Sequence, residues 1–212
     1  MKAPKIEAAP SLTDSTDFGM NIDSSSDQFL SKLMNSKPRL LEDRGSSKLY
    51  VTGTQKGYYF LVSSKNKLIY FNKYIDINKG LVGKPTVTQI AVWRAMGGPL
   101  SSIGVVKSTI FRYMLPRFKI LMSDRIQTLD GRRLWLDLMG TALDEDYHVA
   151  LVDFQMRKVL SLESLTELRI WDQMKDGAWS WNSNKHQGLR FLISKDPLPK
   201  STPMLKDILE NL

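Results

Sequence analysis

The chain has 212 residues, with 30 Lys and Arg against 22 Asp and Glu and a formal net charge of +8. It contains no cysteine, which excludes a disulfide framework, a thiolate nucleophile and a thiolate metal site. Apolar runs such as residues 90–93 and 149–152 fall far short of the roughly 20 residues that span a bilayer.

The N-terminus, Met1-Lys2-Ala3-Pro4-Lys5, is basic, and no apolar core of signal-peptide type follows it. The expectation is a soluble, intracellular protein. Residues 1–27 are rich in Ser, Asp, Ala and Pro without periodicity, and residues 23–27, Asp-Ser-Ser-Ser-Asp, have linker composition. Residues 28–34 place Phe29, Leu30 and Leu33 on one face of a short helix, which Pro38 interrupts. Residues 1–47 therefore read as a disordered or partner-binding arm, and residues 48–212 as a single domain.

From Lys48 the residues become β-type. Residues 49–52, 58–62 and 67–71 read as three strands of an antiparallel meander, with Gly53 and Gly57 in the first turn and residues 63–66 in the second. Residues 80–85 read as a loop leading to a strand over 86–94.

The next turn is the most informative segment. The apolar run Gln89-Ile90-Ala91-Val92-Trp93 is followed by Arg94-Ala95-Met96-Gly97-Gly98-Pro99-Leu100-Ser101-Ser102-Ile103-Gly104. The first amides of a helix lack an internal acceptor and its dipole favours negative charge there, so such a turn is a place for an anion. Gly97, Gly98 and Gly104 remove side chains that would block close approach. Ser101 or Ser102 is placed to cap a helix running from about 103 to 115, with Pro116 ending it. An ordinary Gly-Pro turn before a capped helix explains the same residues.

Beyond it, residues 118–122 read as a strand, 129–143 as a helix with Leu134, Trp135, Leu138 and Met139 on its apolar face, and 147–154 as a strand. Residues 161–175 read as helix, 178–187 as a Trp-containing loop, 189–194 as a strand and 203–212 as a short amphipathic helix. Strands separated by helices of this length imply crossovers and a parallel element beside the meander. The fold class expected is α/β (α+β), a mixed sheet.

Residues 1–47 hold six basic and seven acidic side chains, and the remainder holds 24 and 15. Arg94, Lys107, Arg112, Arg117, Lys119, Arg125, Arg132 and Arg133 face only Asp124 and Asp130 within residues 94–133. Such a surplus suits nucleic acid, an acidic protein or a phosphorylated cofactor.

An antiparallel meander followed by strand, phosphate-type turn, helix, strand, helix and strand resembles the GNAT N-acetyltransferase superfamily, particularly the divergent acyltransferase-like proteins of bacteriophages and prophages. The resemblance covers roughly residues 48–194 and lies more in element order than in motif. It implies a GNAT-like sheet, acetyl-CoA or another acyl-CoA as cofactor, no metal, and an N-acyltransferase activity in the cytoplasm of a bacterial host. The implied pyrophosphate cradle maps to Arg94, Met96, Gly97, Gly98, Ser101, Ser102, Ile103 and Gly104, with Lys107 supplying charge. Arg94 and Gly97 match the family's turn, whereas Pro99 has no N–H to offer.

In the family an Asn lies near the end of the next strand, and a helix then carries Ala and, four residues on, a Tyr that acts as general acid. Asp124 falls in the first of these regions. Gly131-Arg132-Arg133-Leu134-Trp135 resembles the second, with Trp in place of Tyr, and indole cannot donate a proton in that role.

Asp124 is the candidate base; a solvated carboxylate or helix cap explains it too. His148 and His186 are further candidates or ordinary surface residues. Asp144-Glu145-Asp146 reads as a solvated turn rather than a metal cluster. Trp179 and Trp181 alternate and form either a stacking surface or core. A binding protein on the same fold that holds nucleic acid by its basic surface, and a phage structural or host-takeover component, are the alternatives to the enzyme.

Overall fold

The computed structural model describes residues 22–81, 84–94, 104–123, 129–153, 158–164, 166–167 and 189–198. They form a mixed α+β fold with nine strands, paired both parallel and antiparallel. Two compact units partition the chain: residues 1–75 with 90–109, and residues 76–89 with 110–212.

In the first unit, helix α1 (Ile22–Asn35) is followed by strands β1 (Arg39–Asp43), β2 (Ser47–Thr52), β3 (Lys56–Ser63) and β4 (Leu68–Leu81). Each of these strands pairs antiparallel with the next, with Tyr50 opposite Phe60 and Phe60 opposite Phe71. The meander expected from residue 49 onward is present, but the packed structure begins earlier. Leu30 and Leu33 of α1 are buried with Phe60, Val62, Leu68 and Phe71, and Phe29 meets Phe71 edge-on at 5.4 Å. Burying a leucine contributes about 1.5–3 kcal/mol, enough to hold a short helix on a sheet. Part of the expected arm, residues 22–43, is therefore folded. The helix stops where Ser36 Oγ donates to Leu33 O at 2.6 Å and Lys37 turns left-handed before Pro38.

The β2–β3 turn depends on its glycines. Gly53 has φ +79°, and its carbonyl accepts from the Tyr74 hydroxyl at 3.1 Å. A Cβ at Gly57 would overlap Thr52 O and lie 2.6 Å from Tyr74 Oη.

Strand β4 runs to Leu81 and β5 (Lys84–Arg94) begins two residues before Thr86, so Gly80, Leu81, Lys84 and Pro85 are strand where a loop was expected. Pro85 is tolerated because only its missing N–H bars it from a ladder, and it sits at a strand's start.

Helix α2 covers residues 105–118 in three sections: α-helical Val105–Ser108, π-helical Thr109–Met114 and α-helical Leu115–Phe118. Pro116 thus sits inside the helix instead of ending it. A proline ring clashes with the preceding turn of an α-helix and leaves a carbonyl unbonded. Here the winding is already widened before Pro116, and Pro116 occupies the first turn of the following α-section, where its missing N–H costs least. Phe118 belongs to this last section, so β6 is only Ile120–Met122.

In the second unit β6 pairs parallel with β5, Thr86 opposite Ile120 and Thr88 opposite Met122. Helix α3 (Leu129–Asp144) leads to β7 (His148–Asp153), β8 (Lys158–Leu162) and β9 (Leu189–Ser194). The order is β5-β6-β9-β7-β8, with β9 antiparallel to both of its neighbours. Ile120, Met122, Ala150, Val152 and Leu192 form a core with Leu198. Trp135, Leu138, Met139 and Ala142 are buried on one stripe of α3. Ser161 and Leu162 are strand rather than the start of a helix. The remainder of that expected helix, apart from 163–164 and 166–167, and the expected helix over 203–212, lie outside the described residues. No helix among the described residues is long and apolar enough to cross a membrane.

Candidate functional site

The expected cradle can be followed at its two ends. Arg94 is the last residue of β5. Met96, Gly97, Gly98, Ser101, Ser102 and Ile103 lie outside the described residues, and so do Asp124, His186, Trp179 and Trp181. Gly104 and Lys107 are described, and they fix where α2 begins.

Gly104 is the N-cap of α2, with φ 69° and ψ 2° in the left-handed region and no side-chain cap. This corrects the expectation that Ser101 or Ser102 caps a helix starting at Ile103. The left-handed turn is cheap for glycine and strained for other residues, so chain reversal falls to Gly104. The first helical bond runs from Ser108 N–H to Gly104 O at 2.9 Å. The amides of Val105 and Val106 precede it and have no acceptor within the helix. Gly104 is exposed, and a Cβ built on it meets nothing within 4 Å. Lys107, half-buried, supplies a positive charge one turn in.

The start of α2 is anchored from the β1–β2 turn. Arg44 Nη2 donates to Ser108 Oγ at 2.9 Å and to Glu42 Oε2 at 3.0 Å. Both carboxylate and guanidinium are mostly buried, their side chains 25 % and 14 % exposed. Charge-assisted bonds of this kind are the stronger class in a protein interior.

Beside Ser108 lies a polar cluster that the sequence reading missed. Tyr70 and Asn72 alternate along β4 and are fully buried, as is Thr109 at the start of the π-helical section. The Tyr70 hydroxyl and Thr109 Oγ make no hydrogen bond among the described residues. Burial pushes the Tyr70 hydroxyl far above its ordinary pKa, and its polar neighbours Thr109 and Asn72 oppose that shift. An unsatisfied buried hydroxyl costs about 1–3 kcal/mol. The sequence signal was Asn72, a polar residue in the middle of the apolar run Leu68-Ile69-Tyr70-Phe71.

In the second unit Asp76 is half-buried. Burial raises its carboxyl pKa, and the Arg117 guanidinium pulls the other way. Trp135, at the position where the family resemblance places a Tyr, is 1 % exposed in the core. Arg133 and His148 are exposed, as are Asp144, Glu145 and Asp146 at the end of α3. Among the described residues no group of three His, Asp or Glu side chains is arranged to hold a metal ion.

No protein-family model matches the chain, and no curated protein matches it.

Proposed function

We propose that the chain is an acyl-CoA-dependent N-acyltransferase of GNAT-like architecture, using acetyl-CoA or another acyl-CoA on an amine acceptor. The observation that carries this reading is the parallel pairing of β5 and β6, with β5 leading through a glycine-rich segment to a helix whose N-cap is the open, left-handed Gly104. A parallel strand pair needs a crossover, and the helix N-terminus of that crossover is an anion site. The described end of the cradle fits a pyrophosphate: the first-turn amides point out of the helix start, no side chain fills the space at Gly104, and Lys107 adds charge. When bound, an acyl-CoA supplies an activated acyl thioester. Arg94, Met96, Gly97, Gly98, Ser101, Ser102 and Ile103 complete the cradle, and Asp124 is the base that takes the acceptor's proton.

Acetyl-CoA should raise the thermal unfolding midpoint of the protein in a dose-dependent way, because a ligand that binds only the folded state stabilises it by mass action. A midpoint that does not move at saturating acetyl-CoA would remove the cofactor from the account.

The buried Trp135 favours a second reading, a binding protein on the same architecture that has lost the chemistry. Its net charge of +8 would then hold nucleic acid through phosphate contacts, with affinity falling steeply as salt rises. Retention on duplex DNA that is flat between low and physiological salt would count against it.

A further inference from the structure

Three features meet at Thr109. Its Oγ is buried and makes no hydrogen bond among the described residues, and the same holds for the hydroxyl of Tyr70. The winding of α2 changes from α to π at this residue. Asn72, two positions along β4 from Tyr70, is fully buried beside them. All of these groups belong to the first unit.

Each hydroxyl carries one donor and two acceptor lone pairs, and native interiors rarely leave such groups unbonded. Buried waters sit where otherwise unsatisfied polar groups converge, typically making about three hydrogen bonds. A π-helical turn departs from the regular ladder and recurs at functional positions in helices. We propose that Tyr70 and Thr109, with Asn72 beside them, enclose an ordered water molecule that joins β4 to the start of α2.

Such a water gives the helix a second tether next to the first. Ser108 is held directly by Arg44, and Thr109 is held through the water to Tyr70. Two successive residues of α2 are then fixed against strands of the meander, within one turn of Gly104. The inference does not depend on the acyl-CoA reading and stands or falls separately from it.

The test is a crystal structure of the full chain at a resolution that shows ordered solvent, with Thr109→Val and Thr109→Ser as companions. The expected result is a water within hydrogen-bond distance of Tyr70 Oη and Thr109 Oγ, kept in Thr109→Ser and lost or displaced in Thr109→Val. Direct bonding between the two hydroxyls in the wild-type protein, or an empty space between them, overturns the proposal whether or not the variants fold. A water unmoved in Thr109→Val removes Thr109 from the site and overturns it equally.

Discussion

The guanidinium of Arg44 donates to Ser108 Oγ at 2.9 Å, joining residues 64 positions apart in the chain. One end is a tight turn between two antiparallel strands, where Arg44 N–H donates to Ser47 O at 2.8 Å. The other is the first turn of the helix that follows the glycine-rich segment. A local hairpin thus sets the position of the element on which the proposed cradle is built.

Replacing Arg44 should therefore destabilise the first unit. Arg44→Met removes the donor from both Glu42 and Ser108, and a loss of about 1–3 kcal/mol is expected from leaving mostly buried partners unbonded. Ser108→Ala should cost less. In a double-mutant cycle followed by urea denaturation the two changes should be less than additive; strict additivity would show that the bond contributes nothing.

Gly57 and Gly45 provide a contrast between crowding and strain. A Cβ at Gly57 would overlap Thr52 O and press on the Tyr74 hydroxyl, whereas one at Gly45 meets nothing, although Gly45 has φ +74°. Gly57→Ala should cost about 1–3 kcal/mol by overpacking. Gly45→Ala should cost about 1 kcal/mol or less, from the left-handed backbone. Equal losses in thermal unfolding would mean that the Tyr74 contact is not rigid.

Asp76 makes a prediction about pH. Its folded pKa is raised above 3.8 because burial outweighs the attraction of Arg117, so the folded state binds its proton more tightly than the unfolded chain does. Below the unfolded value both states are protonated and the residue carries no penalty. As pH rises through the folded value, stability is lost. Asp76→Asn should therefore be more stable than wild type at neutral pH, with the difference disappearing in acid. Unfolding curves across that range in which the variant is the less stable at neutral pH would show that Arg117 dominates.

Much of the fold was legible because its signals are local. Residues 189–194 alternate little but are apolar and of strand length, and β9 has those bounds. Helix α3 ends one residue beyond the expected Leu143, where Asp146 turns left-handed and Tyr147 N–H closes onto Ala142 O. What was missed depends on partners distant in sequence. Arg39-Leu40-Leu41-Glu42-Asp43 has no alternation, yet it is a strand because β2 offers it a ladder. Lys158-Val159-Leu160-Ser161-Leu162 is likewise a strand through its pairing with β7. Pro116 reads as a helix stop, and only the π-helical section before it reconciles it with a continuing helix. For the site, glycine composition pointed to a turn, and Gly104 is indeed left-handed. The Arg44–Ser108 bond and the Tyr70–Thr109 pair join residues from opposite sides of the meander's turns, which no local pattern encodes.

The central claim is that the segment from Arg94 to Lys107 binds the pyrophosphate of an acyl-CoA. Its most direct test is calorimetric titration of the full chain with acetyl-CoA at moderate salt, with desulfo-CoA as a second ligand and Gly98→Asp as the control protein. The account predicts saturable binding of both ligands to the wild-type chain and its loss in Gly98→Asp, where a carboxylate faces the phosphates. No binding to the wild-type chain, or equal binding to the variant, would contradict it.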